Sequence, residues 1–202
     1  MNARIERVVT SGVFSLDGED FDVDNNVWLV GNETEVLVID AAHDAKAILQ
    51  AIGGRDVVAV VLTHGHNDHL NAAGHLWDAT RAPICLHPAD RMLWDVVYPG
   101  ADPDREIADG DVFRVAGTTL RIITTPGHSP GSVCLYAENL ATVFTGDTLF
   151  SGGPGATGRS YSDHPTILAS ITDRLLVLPE ETVVKTGHGQ DTTIGAEAAN
   201  LA

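Results

Sequence analysis

The sequence predicts an α/β protein built as a four-layer αββα sandwich, two β-sheets packed face to face with helices outside. Three observations carry this prediction. Apolar strand-like runs come in two series, one beginning near residue 5 and one near residue 111, each followed by segments of helical periodicity. Side chains able to ligate a metal gather at the ends of those strands. A chain of 202 residues with 44% hydrophobic content fits one domain with a sizeable core, so residues 1–202 are read as a single domain.

The first series opens with strands at 5–16 and 26–40, joined by the acidic turn Asp17-Gly18-Glu19-Asp20 and punctuated at Gly31-Asn32-Glu33. Asp40 stands at a strand's carboxyl end, either as an acceptor for a neighbouring histidine or as a plain polar strand end. His43 has no spacing partner and is expected at a helix entry. Ala45, Ile48, Leu49 and Ile52 recur at helical spacing and Gly53-Gly54 ends the run. Val57 to Leu62 is uniformly apolar and reads as a fully buried strand. A helix is predicted from His69 to about Ala79, a strand at 83–87, and a further helix from Pro88 to about Val96. His75 and His87 have no motif around them and are expected to be structural. The polar segment 98–109, with Pro99, Gly100 and Pro103, reads as a surface loop.

The second series runs through Val112-Phe113-Arg114-Val115, Thr119 to Thr124, Val133 to Tyr136 and Ala141 to Thr145. A turn-rich loop, Thr125 to Ser132, holds His128, and Gly146-Asp147-Thr148 closes the last strand of the group. The Gly-rich stretch 151–158 leads to Arg159, Ser160 and Tyr161. Asp163 is a natural N-cap with Pro165 in the first turn of the helix that follows. Thr182 to Thr186 is the last strand, ending in Gly187-His188-Gly189, and a short helix is expected after Thr193.

Charge limits the partners. Twenty-eight acidic residues against 12 basic ones give −16, which repels phosphate backbones and anionic lipid. A small-molecule substrate is expected, with no nucleic acid and no membrane. Cys85 and Cys134, both inside apolar runs, are expected as buried reduced thiols. The N-terminus lacks an apolar leader and no apolar run approaches membrane length, so the protein is expected to be cytoplasmic.

The chemistry concentrates in Thr63-His64-Gly65-His66-Asn67-Asp68-His69-Leu70, directly behind the buried strand. Three imidazoles and one carboxylate occupy the six positions from His64 to His69. His64 and His66 stand two apart on extended backbone and can point the same way, while Asp68 and His69 can face them across a pocket. Imidazole with carboxylate and no thiolate suits zinc, manganese or iron in a catalytic site.

This pattern resembles the His-x-His-x-Asp-His signature of the metallo-β-lactamase-fold hydrolases, and His128, Asp147 and His188 extend the likeness to Gly189. The resemblance implies one metal on His64, His66 and His128, a second on Asp68, His69 and His188, and Asp147 bridging both. It implies two divalent ions, zinc first, with iron or manganese as alternatives. It further implies a bridging hydroxide that attacks an electrophilic carbonyl, with Asp68 as the catalytic residue that holds its proton. Within the superfamily, Gly146-Asp147-Thr148-Leu149-Phe150 and the Gly-rich run to Arg159 are most like glyoxalase II-type thioesterases. The bridging Asp and the absence of a Cys ligand speak against a true β-lactamase. Glyoxalase II continues into a helical domain that helps bind glutathione. This sequence ends about a dozen residues after His188, so the expected substrate is an acyl thioester of a small thiol, not necessarily glutathione. Arg159, Ser160 and Tyr161 are its candidate binding residues, Arg159 being equally suited to a structural ion pair. Persulfide dioxygenases, with one iron, and lactonases are the alternatives; Gly158-Arg159-Ser160-Tyr161-Ser162 departs from the dioxygenase signature.

Overall fold

The structure, a computed structural model, describes residues 3–201. It opens with a long hairpin. β1 (Arg4–Leu16) and β2 (Glu19–Gly31) pair antiparallel along all 13 residues of each strand. Asp17 and Gly18 alone make the turn, with φ of 55° and 78°, as two-residue hairpin turns require. Glu19 and Asp20 therefore belong to β2 and not to the expected four-residue turn. β2 pairs with β3 (Glu35–Ile39), and β4 (Asp56–Val61), β5 (Ile84–Leu86) and β6 (Arg105–Glu106) add in parallel to complete the first sheet in the order β1 to β6.

The crossovers are helical. α1 (Ala45–Ile52) starts where Asp44 accepts the Ala47 N–H at 3.0 Å and stops at Gly53 in the left-handed region. The helix predicted from His69 begins earlier and breaks. α2 (Asn67–Leu70) already contains Asp68, and α3 (Ala73–Thr80) follows after Asn71 and Ala72. A 3₁₀ turn, Pro88–Asp90, leads into α4 (Arg91–Val97). The segment expected as a surface loop supplies β6 and buries Ile107 at 1% exposure, because its backbone pairs with β5.

The second sheet is assembled from the later strands. β7 (Val112–Val115), β8 (Thr118–Thr124), β9 (Val133–Ala137) and β10 (Thr142–Gly146) form an antiparallel meander. Between β10 and the last strands lies a small ribbon, β11 (Leu149–Phe150) with β12 (Gly153–Pro154), so part of the Gly-rich stretch is paired. α5 (His164–Ser170), capped by Asp163 on the Thr166 N–H at 2.9 Å, continues as a π-helical turn over Ile171–Leu175. β13 (Val183–Thr186) joins β10 in parallel, β14 (Thr192–Thr193) pairs with it, and α6 (Ile194–Leu201) follows.

Alternation along the strands sorts the core into layers. Val27, Leu29, Val36, Val38 and Val60 point outward to Ile48, Ile52, Leu76 and Trp94 of the first helical layer. Their neighbours Trp28, Val30, Leu37, Ile39 and Val61 point inward to Leu120, Ile122, Leu135 and Phe144 of the second sheet. On that sheet's far face Cys134, Val143 and Val184 meet Ile167, Ile171, Leu175 and Ile194. Three apolar interfaces between four layers, two of helices and two of strands, make the predicted αββα sandwich. Each fully buried Leu, Ile or Val contributes about 1.5–3 kcal/mol, so slipping one strand by a residue is prohibitive. The two thiols are free and buried, in different layers, and burial pushes them up, Cys85 to about 12 and Cys134 to about 11. Among the described residues no helix is long and apolar enough to cross a membrane.

Candidate metal centre

The loops that leave β3, β4, β8, β10 and β13 at their carboxyl ends meet at one rim of the sandwich. Backbone bonds tie them together: Val133 N–H to Thr63 O (2.8 Å), Gly187 N–H to Gly146 O (2.8 Å) and Ala41 N–H to His69 O (2.8 Å). The rim carries all seven residues singled out from the sequence. His64, His66, Asp68, His69 and His128 are each no more than 8% exposed.

The ring orientations follow from their outer partners. Asp40, just past β3, accepts the Thr63 N–H at 2.8 Å and the Thr63 hydroxyl at 3.0 Å. With its hydrogen committed to Asp40, the Thr63 hydroxyl accepts from His64 Nδ1 at 3.1 Å. Asp40 Oδ2 also takes the Nδ1–H of His69 at 2.9 Å. Of the two readings left open for Asp40, the structure selects the histidine acceptor. His128 Nδ1 donates to Ala156 O and His188 Nδ1 to Asp24 O, each at 2.8 Å. These four rings therefore turn Nε2 inward. His66 is reversed: its Nδ1 lies 3.0 Å from both His64 Nε2 and His128 Nε2, and its Nε2 is buried without a partner.

Two groups of donors result, His64-His66-His128 and Asp68-His69-His188, with ligand atoms in each within 4.8 Å of one another. His69 Nε2 and His188 Nε2 are 3.2 Å apart, and Asp68 Oδ2 is 3.4 Å from each. Asp147 stands between the groups. Its Oδ1 is 3.3 Å from His69 Nε2, and its Oδ2 is 3.3 Å from His188 Nε2 and 3.6 Å from His128 Nε2. Gly187 makes the approach possible, since a Cβ there would fall 2.2 Å from Asp147 Oδ1.

The protein's own electrostatics divide the cluster into two kinds of group. Burial, reinforced by His128, lowers His66 to about 3, and burial with the neighbouring rings holds His64 well below its ordinary value. On the other side burial opposes ionisation but is overcome. The carboxylates Asp68, Asp147 and Asp40 hold His69 well above the usual imidazole range, and Asp147 with Asp68 lifts His188 to about 10. Burial likewise pushes Asp68 upward, yet His69, His188 and Asn25 bring it down to about 2. The rim thus combines inward-facing neutral imidazoles with carboxylates that recruit positive charge. Asp68 Oδ1 and Asp147 Oδ1 are buried without hydrogen bonds. Nitrogens at 3.0 Å need to spread only to about 3.3 Å to sit tetrahedrally around zinc at 2.0–2.1 Å. The donor set fits a pair of divalent ions.

Three residues of this rim escaped the sequence reading. Asp90, 0% exposed, bonds the Gly65 N–H through Oδ2 at 2.7 Å and the Gly131 N–H through Oδ1 at 2.6 Å, and it accepts the Ser129 hydroxyl at 2.6 Å. It staples the His64-His66 loop to the His128 loop. Asn25, 0% exposed, donates to Asp68 Oδ2 at 3.0 Å. The only signal in the sequence was an amide pair, Asn25-Asn26, ahead of the apolar run Val27 to Val30. Phe14, from β1, places its ring 5.2 Å edge-on from His66, and Phe21 lies 6.2 Å from Phe14. Asn67 ties the hairpin down through Val13 O and the Ser15 N–H, both at 2.8 Å.

The segment after Ala156 meets this hairpin. Arg159 pairs with Glu19 at 2.8 Å and lies 4.6 Å over the Phe21 ring, and the Ser160 N–H donates to Asp17 at 3.0 Å. Tyr161 is 54% exposed. The structural ion pair weighed for Arg159 is present. His75 and His87 lie outside the cluster, and His87 caps the 3₁₀ turn through the Ala89 N–H at 3.2 Å.

Residues 21–188 match the family described as the Metallo-beta-lactamase superfamily, a span that holds every residue of the cluster. The chain belongs to that superfamily. Among its superfamily relatives, the hydroxyacylglutathione hydrolase GloC of Haemophilus influenzae is 32% identical over 186 residues, 85% of this chain and 87% of that protein. Among solved structures, BLEG-1 B3 metallo-beta-lactamase superposes with a TM-score of 0.80 at 31% identity, covering 94% of this chain and 97% of the other. TTHA1623 in a di-iron-bound form gives a TM-score of 0.78 at 34% identity, covering 88% and 94%. The superfamily fold is the sandwich predicted from the strand series, and the hydrolase relatives support a metal-dependent hydrolase.

Proposed function

We propose that the protein is a dinuclear metal-dependent hydrolase that cleaves the acyl thioester of a small thiol. The observation that carries the reading is Asp147, whose two oxygens face the two histidine groups at 3.3–3.6 Å. His64, His66 and His128 would hold one ion, Asp68, His69 and His188 the other, and Asp147 both. Ions held there would supply polarisation of a carbonyl and a water whose pKa is brought near neutrality. Asp68 keeps Oδ2 among His69, His188 and Asn25, which leaves the unpaired Oδ1 to take the proton of the attacking water. Phe14 and Phe21 wall one side with apolar surface suited to an acyl or thiol chain. Arg159 lies against that wall, followed directly by Ser160 and Tyr161, and Arg159 can exchange Glu19 for a substrate carboxylate, which its guanidinium can bind through two parallel N–H bonds. The relative named as a hydroxyacylglutathione hydrolase, matched over 87% of its own length, keeps glutathione among the thiols to test. Zinc is the proposed metal, and the di-iron form of a structural relative makes iron the competitor.

Metal analysis of the purified protein comes first. About two zinc per chain supports the reading, whereas one iron with oxygen uptake on a persulfide would replace it with a dioxygenase. The loaded protein is then given hydroxyacyl thioesters of several thiols, a lactone, a chromogenic β-lactam and a phosphodiester. Faster turnover of the β-lactam or lactone than of any thioester refutes the substrate choice. Arg159→Ala raising KM at unchanged metal content marks a substrate contact; a lower Tm alone marks the ion pair as structural.

A further inference from the structure

His43 lies outside the metal cluster, yet its bonds lead directly to it. It sits in the left-handed region with φ 56°, a conformation that side-chain-bearing residues rarely adopt. Its ring fills the space that Gly12 leaves open, for a Cβ on Gly12 would fall 2.2 Å from His43 Nδ1. A strained backbone and a dedicated niche hold this ring in one orientation.

The His43 backbone N–H can only donate, and it fixes the direction of every hydrogen bond that follows. The His43 backbone N–H donates to Asn71 Oδ1 at 2.6 Å, so the amide of Asn71 presents its NH₂ to His43 Nδ1 at 3.0 Å. Nδ1 must then be the unprotonated nitrogen, and the ring hydrogen is on Nε2. Nε2–H lies 2.9 Å from Asn25 Oδ1 and donates to it. Asn25 is left with only its NH₂ for Asp68, and donates to Oδ2 at 3.0 Å. The chain ends on a carboxylate whose other oxygen has no partner.

We propose that His43 is a positioning residue: with Asn71 it locks the Asn25 amide so that one oxygen of Asp68 is tied and the other is left for the reaction. Were Asn25 free to turn over, its carbonyl would face the Asp68 carboxylate, two acceptors in a buried site with no hydrogen between them. Asp68 would then rotate away from His69 and His188. This inference rests on the reading of Asp68 as a metal ligand. It predicts that loss of His43 damages the Asp68-His69-His188 group and spares the three-histidine group.

Cobalt(II) titration followed by its visible absorption measures this without any substrate. Wild type should take two equivalents. In His43→Ala one equivalent should weaken by about tenfold or more, the range for groups that orient metal ligands, while the other is unchanged. His43→Gln, whose amide nitrogen donates in place of Nε2, should restore most of the loss. Two unchanged equivalents in His43→Ala, or both weakened with Gln no better than Ala, overturn the proposal. Should His43→Ala fail to fold, ring-nitrogen NMR of the wild-type protein decides: the neutral Nε2–H tautomer is expected, and an Nδ1–H tautomer refutes the relay. Wild type that takes up no cobalt would overturn the metal centre and the role of His43 in it. A failed thioesterase assay leaves both measurements standing.

Discussion

The Asp40 carboxylate accepts the Nδ1–H of His69 through Oδ2 at 2.9 Å while Oδ1 holds the backbone of Thr63 at 2.8 Å. One residue at the end of β3 thereby orients a ring in α2 and anchors the first residue of the ligand loop. Asp40→Asn should keep the φ of 63°, which Asn tolerates, but lose the charged acceptor. Affinity for metal is expected to fall about 10–100-fold, measured by competition with a chromophoric chelator. Asp40→Ala should also lose about 1–3 kcal/mol in urea unfolding, because the Thr63 N–H is left buried and unpaired. Unchanged affinity in both variants would remove Asp40 from the site.

Asp90 offers a sharper stability test. Its removal orphans the N–H groups of Gly65 and Gly131 together and leaves the Ser129 hydroxyl only Ser132 as partner. Asp90→Ala is expected to cost about 3–5 kcal/mol of unfolding free energy. Asp90→Asn should cost less, since one amide oxygen still accepts. Metal uptake should suffer in step, because the loops carrying His66 and His128 are no longer held in register. A loss below about 1 kcal/mol would show that the two loops are held by other contacts.

Metal removal tests the assembly as a whole. Chelation should lower Tm and added zinc should restore it, since the ion binds the folded cluster in preference to the open chain. Asp147→Ala should lose metal and activity together. Cys134→Ala, in the outer core layer and not among the metal-type donors, should change stability alone. A melting curve indifferent to complete metal removal would argue against a buried dinuclear centre.

In the metal-free protein the same groups set the pH dependence. His66, lowered to about 3, refuses a proton that the unfolded chain accepts near 6.5. Stability from this residue is full above about 6.5 and drains away as pH falls toward 3. His188, raised to about 10, contributes fully below 6.5 and loses its contribution as pH rises through 10. Asp68, lowered to about 2, adds stability above 3.8 that is lost as pH falls through 2. Metal-free Tm should therefore peak near pH 6.5 and decline on both sides. With zinc bound, the ions replace the protons on His69 and His188, and the alkaline decline should flatten. A metal-free Tm that climbs steadily from pH 6.5 to 9 contradicts the raised pKa of His188.

Local order in this protein was written in the sequence. The alternation of Val27 to Val30 and of Val36 to Ile39 assigns each side chain to one face of a strand, and Asp44 and Gly53 mark the two ends of α1. Such signals depend on near neighbours, so they survive without knowledge of the fold. The ligand-type residues were legible for the same reason: a buried strand that opens into His64-Gly65-His66-Asn67-Asp68-His69 has few other uses. Boundaries set by remote pairing were not. The turn at Asp17-Gly18 and the strand Arg105–Glu106 depend on partner strands, and α2 begins early because Asp68 is drawn into the rim. The roles of Asp40, Asp90, Asn25 and His43 waited on the tertiary structure as well. Each is decided by hydrogen bonds, effective only within about 3 Å and near-linear geometry, between loops that the sheets bring together. Arg159 was undecidable for the same reason, since its partner Glu19 is 140 residues away in the chain. Sequence determines which side chains are available; packing of two twisted sheets decides which atoms of them meet.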